Sequence, residues 1–232
     1  MTPAEIEGIY ILQSENVRHL GKVLNALNRD INRSIEQSNE FELQYRTKII
    51  AFVYSAWSEA QFVQIIHTPR GFYYPEINDI KNEKSSNGVF AGWKLMLEKA
   101  MTRVGDTSLR QDLSDRLTKL LEITDEYIGE PSIVRNKIAH GQWINVLNRH
   151  NTAKNDALTN QLTALDPVLV MKRKRIHQLF GFIVRDLVQS PLVGFHRHYW
   201  TNIVELESFL NRSKDWTLEL KKLKLQANRR RT

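Results

Sequence analysis

Apolar side chains recur along this chain at intervals of three and four, with none of the sustained alternation that a half-buried strand needs. The segment from Ala4 to about Ser38 is polar but keeps a narrow stripe of Ile6, Ile9, Leu12, Leu20, Val23, Leu27 and Ile31, which predicts one long or broken helix. A second helix is predicted from about Phe41 to His67, stopping before Thr68-Pro69-Arg70-Gly71. The stretch from Phe72 to Gly88, rich in Asn, Ser and Lys, reads as a loop. Val89 to Arg103 forms a third helix ended by Gly105, and Asp106 or Thr107 caps a fourth that continues to about Ile128. A short helix follows Pro131, with Gly141 just past it, and residues 145 to 166 read as a loop or a weak helix. Asp166-Pro167 opens a helix to about Gln189, with Ile176, Leu179, Phe180, Ile183 and Leu187 on one face. A final helix spans about Trp200 to Leu225. The pattern predicts an all-α chain.

Size and composition allow a real core: 232 residues, 41% apolar and 25% charged. Cysteine is absent, which removes disulfides, thiol catalysis and thiolate metal sites together. No apolar run approaches the roughly 18 to 20 residues of a spanning helix, and the start lacks a signal-peptide pattern. A cytoplasmic protein without a membrane partner is expected. The net charge of +7 favours polyanions, mainly nucleic acid and less often an anionic membrane surface.

Two places carry candidate chemistry. On the second helix Ile49, Phe52, Ala56, Val63 and Ile66 step by three and four, and Glu59 falls inside that stripe. A buried lone carboxylate loses several kcal/mol of hydration, so Glu59 asks for a cationic partner or lies at the stripe's wet edge. The other place is Pro131-Ser132-Ile133-Val134-Arg135-Asn136-Lys137-Ile138-Ala139-His140-Gly141. At about 100° per residue, Pro131, Val134, Arg135, Ile138 and Ala139 share one side, and Asn136 and His140 share the other. Arg135 then points inward, towards a partner such as Glu59, while the amide and the imidazole look outward.

Those groups suit phosphoryl chemistry. Arginine grips phosphate oxygens with a planar fork, and histidine passes protons near neutrality. RNA carries its own nucleophile, the 2′-hydroxyl. Cleavage needs a base there, an acid at the departing 5′-oxygen and positive charge on the phosphate. One chain offers one such imidazole, so a symmetric dimer supplies the second.

The stretch Val134-Arg135-Asn136-Lys137-Ile138-Ala139-His140-Gly141 resembles the Arg-x4-His motif of the HEPN superfamily, including the polar Asn after Arg and the small-His-Gly ending. Tyr54-Ser55-Ala56-Trp57-Ser58-Glu59-Ala60 resembles an earlier helix of that family. The resemblance implies one HEPN-like helical domain over 1–232, with a core of about 41–190, an N-terminal helix over 1–40 and a C-terminal helical extension over 191–232. It implies a homodimer whose motifs face each other across a cleft and cleave RNA without a metal or other cofactor. A toxin or anti-phage role, with an antitoxin or defence-system partner protein, belongs to the same expectation. By position, Arg135 and His140 are catalytic, Asn136 assists and Glu59 orients Arg135, with Ser55 and Ser58 competing for the last role. Some members are instead non-catalytic modules that bind RNA, nucleotides or proteins.

Lys137 and the run Lys172-Arg173-Lys174-Arg175 are the candidate RNA-binding cations. Positive charge early in a helix opposes its dipole by about a few tenths of a kcal/mol, so the run is kept for an anion or is a solvated face. His196 and His198, two apart with no third ligand, make a poor metal site, and none is expected. The five tryptophans read as core or interface, with Trp143 the one to watch at a dimer cleft.

Overall fold

The two long striped segments fold as helices α1 (Pro3–Glu36) and α2 (Glu40–Ile66). Between them Ser38 takes a left-handed backbone, with φ 55°, and the Asn39 side chain accepts from the Glu42 amide at 3.1 Å, capping α2. The computed structural model describes residues 1–128 and 136–229, the last two as backbone only. It is all-α, with about ten helices and no strand among the described residues. The remaining long helices are α3 (Tyr74–Asn87), α4 (Val89–Met101), α5 (Gln111–Tyr127), α6 (Asp156–Thr163), α7 (Pro167–Gln189), α8 (Gly194–Arg212) and α9 (Leu218–Arg229). A further helical turn covers 136–139.

Four expectations are corrected. The loop expected from Phe72 to Gly88 contains α3: the Glu76 carboxylate accepts from the Tyr73 amide at 2.8 Å, Pro75 sits in the first turn, and Ile77 and Ile80 are buried three apart. Polar composition hid that short apolar face. Asp106 does not cap α5; its carboxylate accepts from the Ser108 amide at 2.8 Å in a local turn, and the helix starts at Gln111. The single last helix is two, because Thr217 accepts from the Leu220 amide at 3.2 Å and starts α9 anew. The α2 stripe is also turned. Ile66 is buried as expected, but Phe52 is 37% exposed, and the buried line runs through Leu43, Ile50, Tyr54, Trp57, Phe62 and Ile65. Large aromatic rings outweigh the smaller aliphatic positions in buried apolar area. Thr47 lies on this line too, but its hydroxyl bonds back to the Leu43 carbonyl at 2.7 Å.

The α2 helix is long and apolar enough to cross a membrane by length and composition, although 44% of its most apolar window is buried inside the protein. An averaged window admits scattered polar residues that an uninterrupted run does not, so the expectation of no such stretch is corrected.

The chain divides into two compact units. The first comprises Met1–Arg18, Ser58–Glu130 and Arg175–Arg212. Its core is centred on buried Trp93 of α4, with ring centroids 5.3 Å from Phe62, 5.4 Å from His177 and 5.6 Å from Phe180. Leu113 and Leu120 of α5, and Phe195 and Leu206 of α8, join the same cluster. At the edge of this unit Arg103 donates to the Gly71 carbonyl at 2.7 Å, pairs with Glu76 and lies over the Phe72 ring.

The second unit comprises His19–Trp57, Pro131–Lys174 and Ser213–Thr232. It buries Leu24, Ile31, Ile50, Tyr54 and Trp57. Polar groups tie its helices together: Lys174 donates to Asn25 at 2.8 Å, Lys221 to Asn28 at 3.1 Å, and Arg46 to the Asp30 carbonyl at 2.8 Å. A smaller cluster of Ile138, Val146 and Leu162, with Trp143, Leu158 and Leu165 against it, holds the segment that carries His140.

His177 was not singled out by its pattern in the sequence, yet it lies fully buried beside Trp93. Burial pushes its pKa down to about 3. The folded core therefore keeps the ring neutral. That stability is whole above the ordinary histidine value of about 6.5 and is lost as the pH falls from there towards 3, because the unfolded chain gains a proton that the folded one refuses. Urea unfolding at about pH 6.5 and about pH 5 is expected to show a loss of about 2 kcal/mol that the His177→Leu variant lacks. Equal losses in both proteins contradict this account.

Candidate functional site

The 136–139 turn ends in a helix-terminating motif set by glycine. Gly141 has φ +76°, a backbone that costs a side chain but not glycine. Its amide bonds to the Ile138 carbonyl at 3.1 Å, and the next amide, of Gln142, reaches back to the Lys137 carbonyl at 3.0 Å. This pair of bonds satisfies the last carbonyls and turns the chain away directly after His140.

Side chains then lock the segment from below. Ile138 is buried in the small cluster, and the Trp143 indole donates to the Ile138 carbonyl at 3.0 Å. Lys137 donates to the Leu147 carbonyl at 2.9 Å, while Gln142 accepts from the Leu147 amide at the same distance. The Thr159 hydroxyl on α6 accepts from the Val146 amide at 3.0 Å. Residues 145–155 form a tight return loop, with an antiparallel bridge between Leu147 and Lys154 and an Asn148 carboxamide that accepts from the amides of His150 and Thr152. What the sequence left as loop or weak helix is thus loop first and helix α6 after.

With Ile138 held inside, Asn136 and His140 are both exposed, four apart on the last turn. The His140 ring has no hydrogen-bond or ion-pair partner among the described residues. Arg135 lies outside the described residues, as do Pro131 and Val134. Ala139, expected on the inner side, is exposed. The turn is short, and its position is decided by Ile138 alone among the described apolar residues.

The other named residues fall as follows. Glu59 is not buried in a stripe: its side chain is 37% exposed and lies 3.5 Å from Lys84 of α3. Ser55 and Ser58 are buried. The run from Lys172 to Arg175 does not form one exposed patch, because successive helical residues face different ways. Lys174 is only 5% exposed and is spent on Asn25. Arg175 pairs with Glu205 at 2.9 Å. Arg173 acts on the buried Tyr54 phenol, whose pKa burial raises and the arginine's charge lowers. Lys172 is half-buried, and Lys137 is held by the return loop.

His196 contacts Arg116 at 3.3 Å, and His198 pairs with Asp186 at 2.9 Å. No group of three or more His, Asp or Glu placed to hold a metal occurs among the described residues. Arg116 lies over the rings of Phe195, Tyr199 and Trp200, a cation–aromatic cluster that the sequence pattern did not reveal because its members come from two distant helices. Within the second unit a groove of about 360 Å³ is lined by Leu43, Lys48, Ile144, Leu162 and Leu218 among others, and Ile144 stands four residues after His140. Lys48, half-buried there, has no ion pair or hydrogen bond among the described residues.

Comparison with family models, with curated proteins and with solved structures finds no match to this chain.

The glycine turn is open to a local test. Gly141→Ala puts a side chain on a left-handed backbone and is expected to cost about 1 kcal/mol, with Gly141→Asn costing less. Hydrogen exchange at the amides of His140, Gly141 and Gln142 should accelerate in the alanine variant. Unchanged protection there contradicts the described turn.

Proposed function

We propose that this protein is a metal-independent endoribonuclease that acts as a homodimer, with Arg135 and His140 as its catalytic residues. The observation that carries this reading is the exposed pair of Asn136 and His140 on a helix end fixed by Gly141 and Ile138.

In the proposed reaction the Arg135 guanidinium, or that of a partner copy, holds the phosphate oxygens and its growing negative charge. One His140 imidazole takes the proton from the 2′-hydroxyl, whose oxygen attacks phosphorus. The His140 of the other protomer gives a proton to the departing 5′-oxygen. The products are a 2′,3′-cyclic phosphate and a 5′-hydroxyl. Asn136, beside His140, donates its amide to a phosphate or sugar oxygen. Resemblance of Val134–Gly141 to the HEPN motif supports the same chemistry and a toxin or phage-defence setting. Glu59, 3.5 Å from Lys84, is the residue proposed to orient Arg135.

A second reading, a non-catalytic module that binds RNA or protein, is favoured by one observation. No carboxylate or carbonyl among the described residues bonds the His140 ring and fixes its tautomer.

Purified protein incubated with total RNA and EDTA is expected to yield fragments ending in cyclic phosphate. His140→Ala and Arg135→Ala should each reduce the rate by about 10²- to 10⁴-fold with the circular-dichroism spectrum unchanged. Intact RNA, or full cleavage by His140→Ala protein, overturns the proposal.

A further inference from the structure

The positive charge of this chain is concentrated at one end. Eight of its 33 Lys and Arg, but only two of its 26 Asp and Glu, lie from Arg212 onward, so this segment carries six of the seven net positive charges. The other 211 residues are close to neutral. A polyanion is therefore met mainly by α9 and the segments that flank it, and far less by the run from Lys172 to Arg175.

Helix α9, with Trp216 just before it, has two different faces. Its inner face is fastened within the second unit: Lys221 reaches Asn28 at 3.1 Å, and Lys222 reaches Glu40 at 3.2 Å. Burial lowers the Lys221 pKa, as expected for an ammonium packed against other helices. The outer face carries Leu220 and Leu223, which are 43% and 64% exposed, and Trp216, just before the helix, is 50% exposed. Within the helix Leu220 and Leu223, with exposed Ala227 another four along, form an apolar stripe. Lys214 and Lys224 are exposed on the same segment, and Arg229, Arg230 and Arg231 follow it in the sequence.

We propose that this outer face lies on an anionic lipid surface. Basic residues flanking a Trp and a Leu stripe are what a helix lying in the membrane interface requires: charge draws it to acidic headgroups, and the apolar side chains enter the acyl boundary. RNA would use the charges and could stack a base on Trp216, but it has nothing to offer Leu220 and Leu223. Acyl chains take both. At about 18 Å the helix is too short and too polar to span a bilayer, and contact along one face does not require spanning. The proposal departs from the expectation of no membrane partner. The proposal is independent of catalysis at His140.

The test is flotation of the full chain with vesicles of phosphatidylcholine alone, and with vesicles of equal parts phosphatidylcholine and phosphatidylglycerol. Binding is expected on the mixed vesicles only, weakening at least about ten-fold in high salt. The double variant Leu220→Gln, Leu223→Gln should lose at least about ten-fold in binding. Both positions are exposed, so its circular-dichroism spectrum should match the parent's. Failure to bind the mixed vesicles, or binding that survives the leucine changes, overturns the proposal. So does failure to bind vesicles alongside leucine-dependent capture of single-stranded RNA, or leucine-dependent self-association.

Discussion

Ile138 and Gly141 form the constraint on which this account of the site depends. Burying Ile138 fixes the rotation of a helix end only one turn long, and at about 100° per residue that sends Asn136 and His140 to the opposite side. Gly141 then ends the helix through a backbone that other residues adopt only under strain. If either residue gave way, the imidazole would lose its fixed direction. The indole of Trp143, the ammonium of Lys137 and the amide of Gln142 all serve this one turn through hydrogen bonds to or from backbone groups. A short polar segment is thereby held without a large core of its own.

The same economy runs through the polar interior elsewhere. Lys174, Lys221 and Arg46 lie where an unpaired charge would be costly, and each meets a carboxamide or carbonyl oxygen on another helix. Such residues look like a solvated basic face in the sequence. In the structure they fasten helices, which leaves fewer cations for nucleic acid than the bulk charge implies.

Legibility in the sequence followed the length and clarity of the apolar pattern. Helices α1, α2 and α7 were readable within a few residues at their ends, and every residue assigned to the apolar face of α7 is buried. Helix α3 was not readable, because two isoleucines and a Glu76 cap are a faint signal inside a polar stretch. The break before α9 depends on a local hydrogen bond from the Leu220 amide to the Thr217 hydroxyl, which competes with an otherwise continuous helical pattern. At the site, the outward direction of Asn136 and His140 was legible from spacing alone. The surroundings of Glu59 and Lys174 were not, since Lys84 and Asn25 approach them from distant parts of the chain. No periodicity announces a partner that tertiary packing supplies.

The one His140 imidazole of each chain cannot stand on both sides of a single phosphorus, so the proposed chemistry requires two chains at each scissile bond. The most direct test is to exchange subunits between wild-type and His140→Ala protein at varied ratios and to measure RNA cleavage in each mixture. If two His140 rings bracket one phosphodiester, a mixed dimer is inactive and the rate falls as the square of the wild-type fraction. A rate that falls in simple proportion to that fraction would mean that each chain cleaves with its own histidine alone, and would contradict the account.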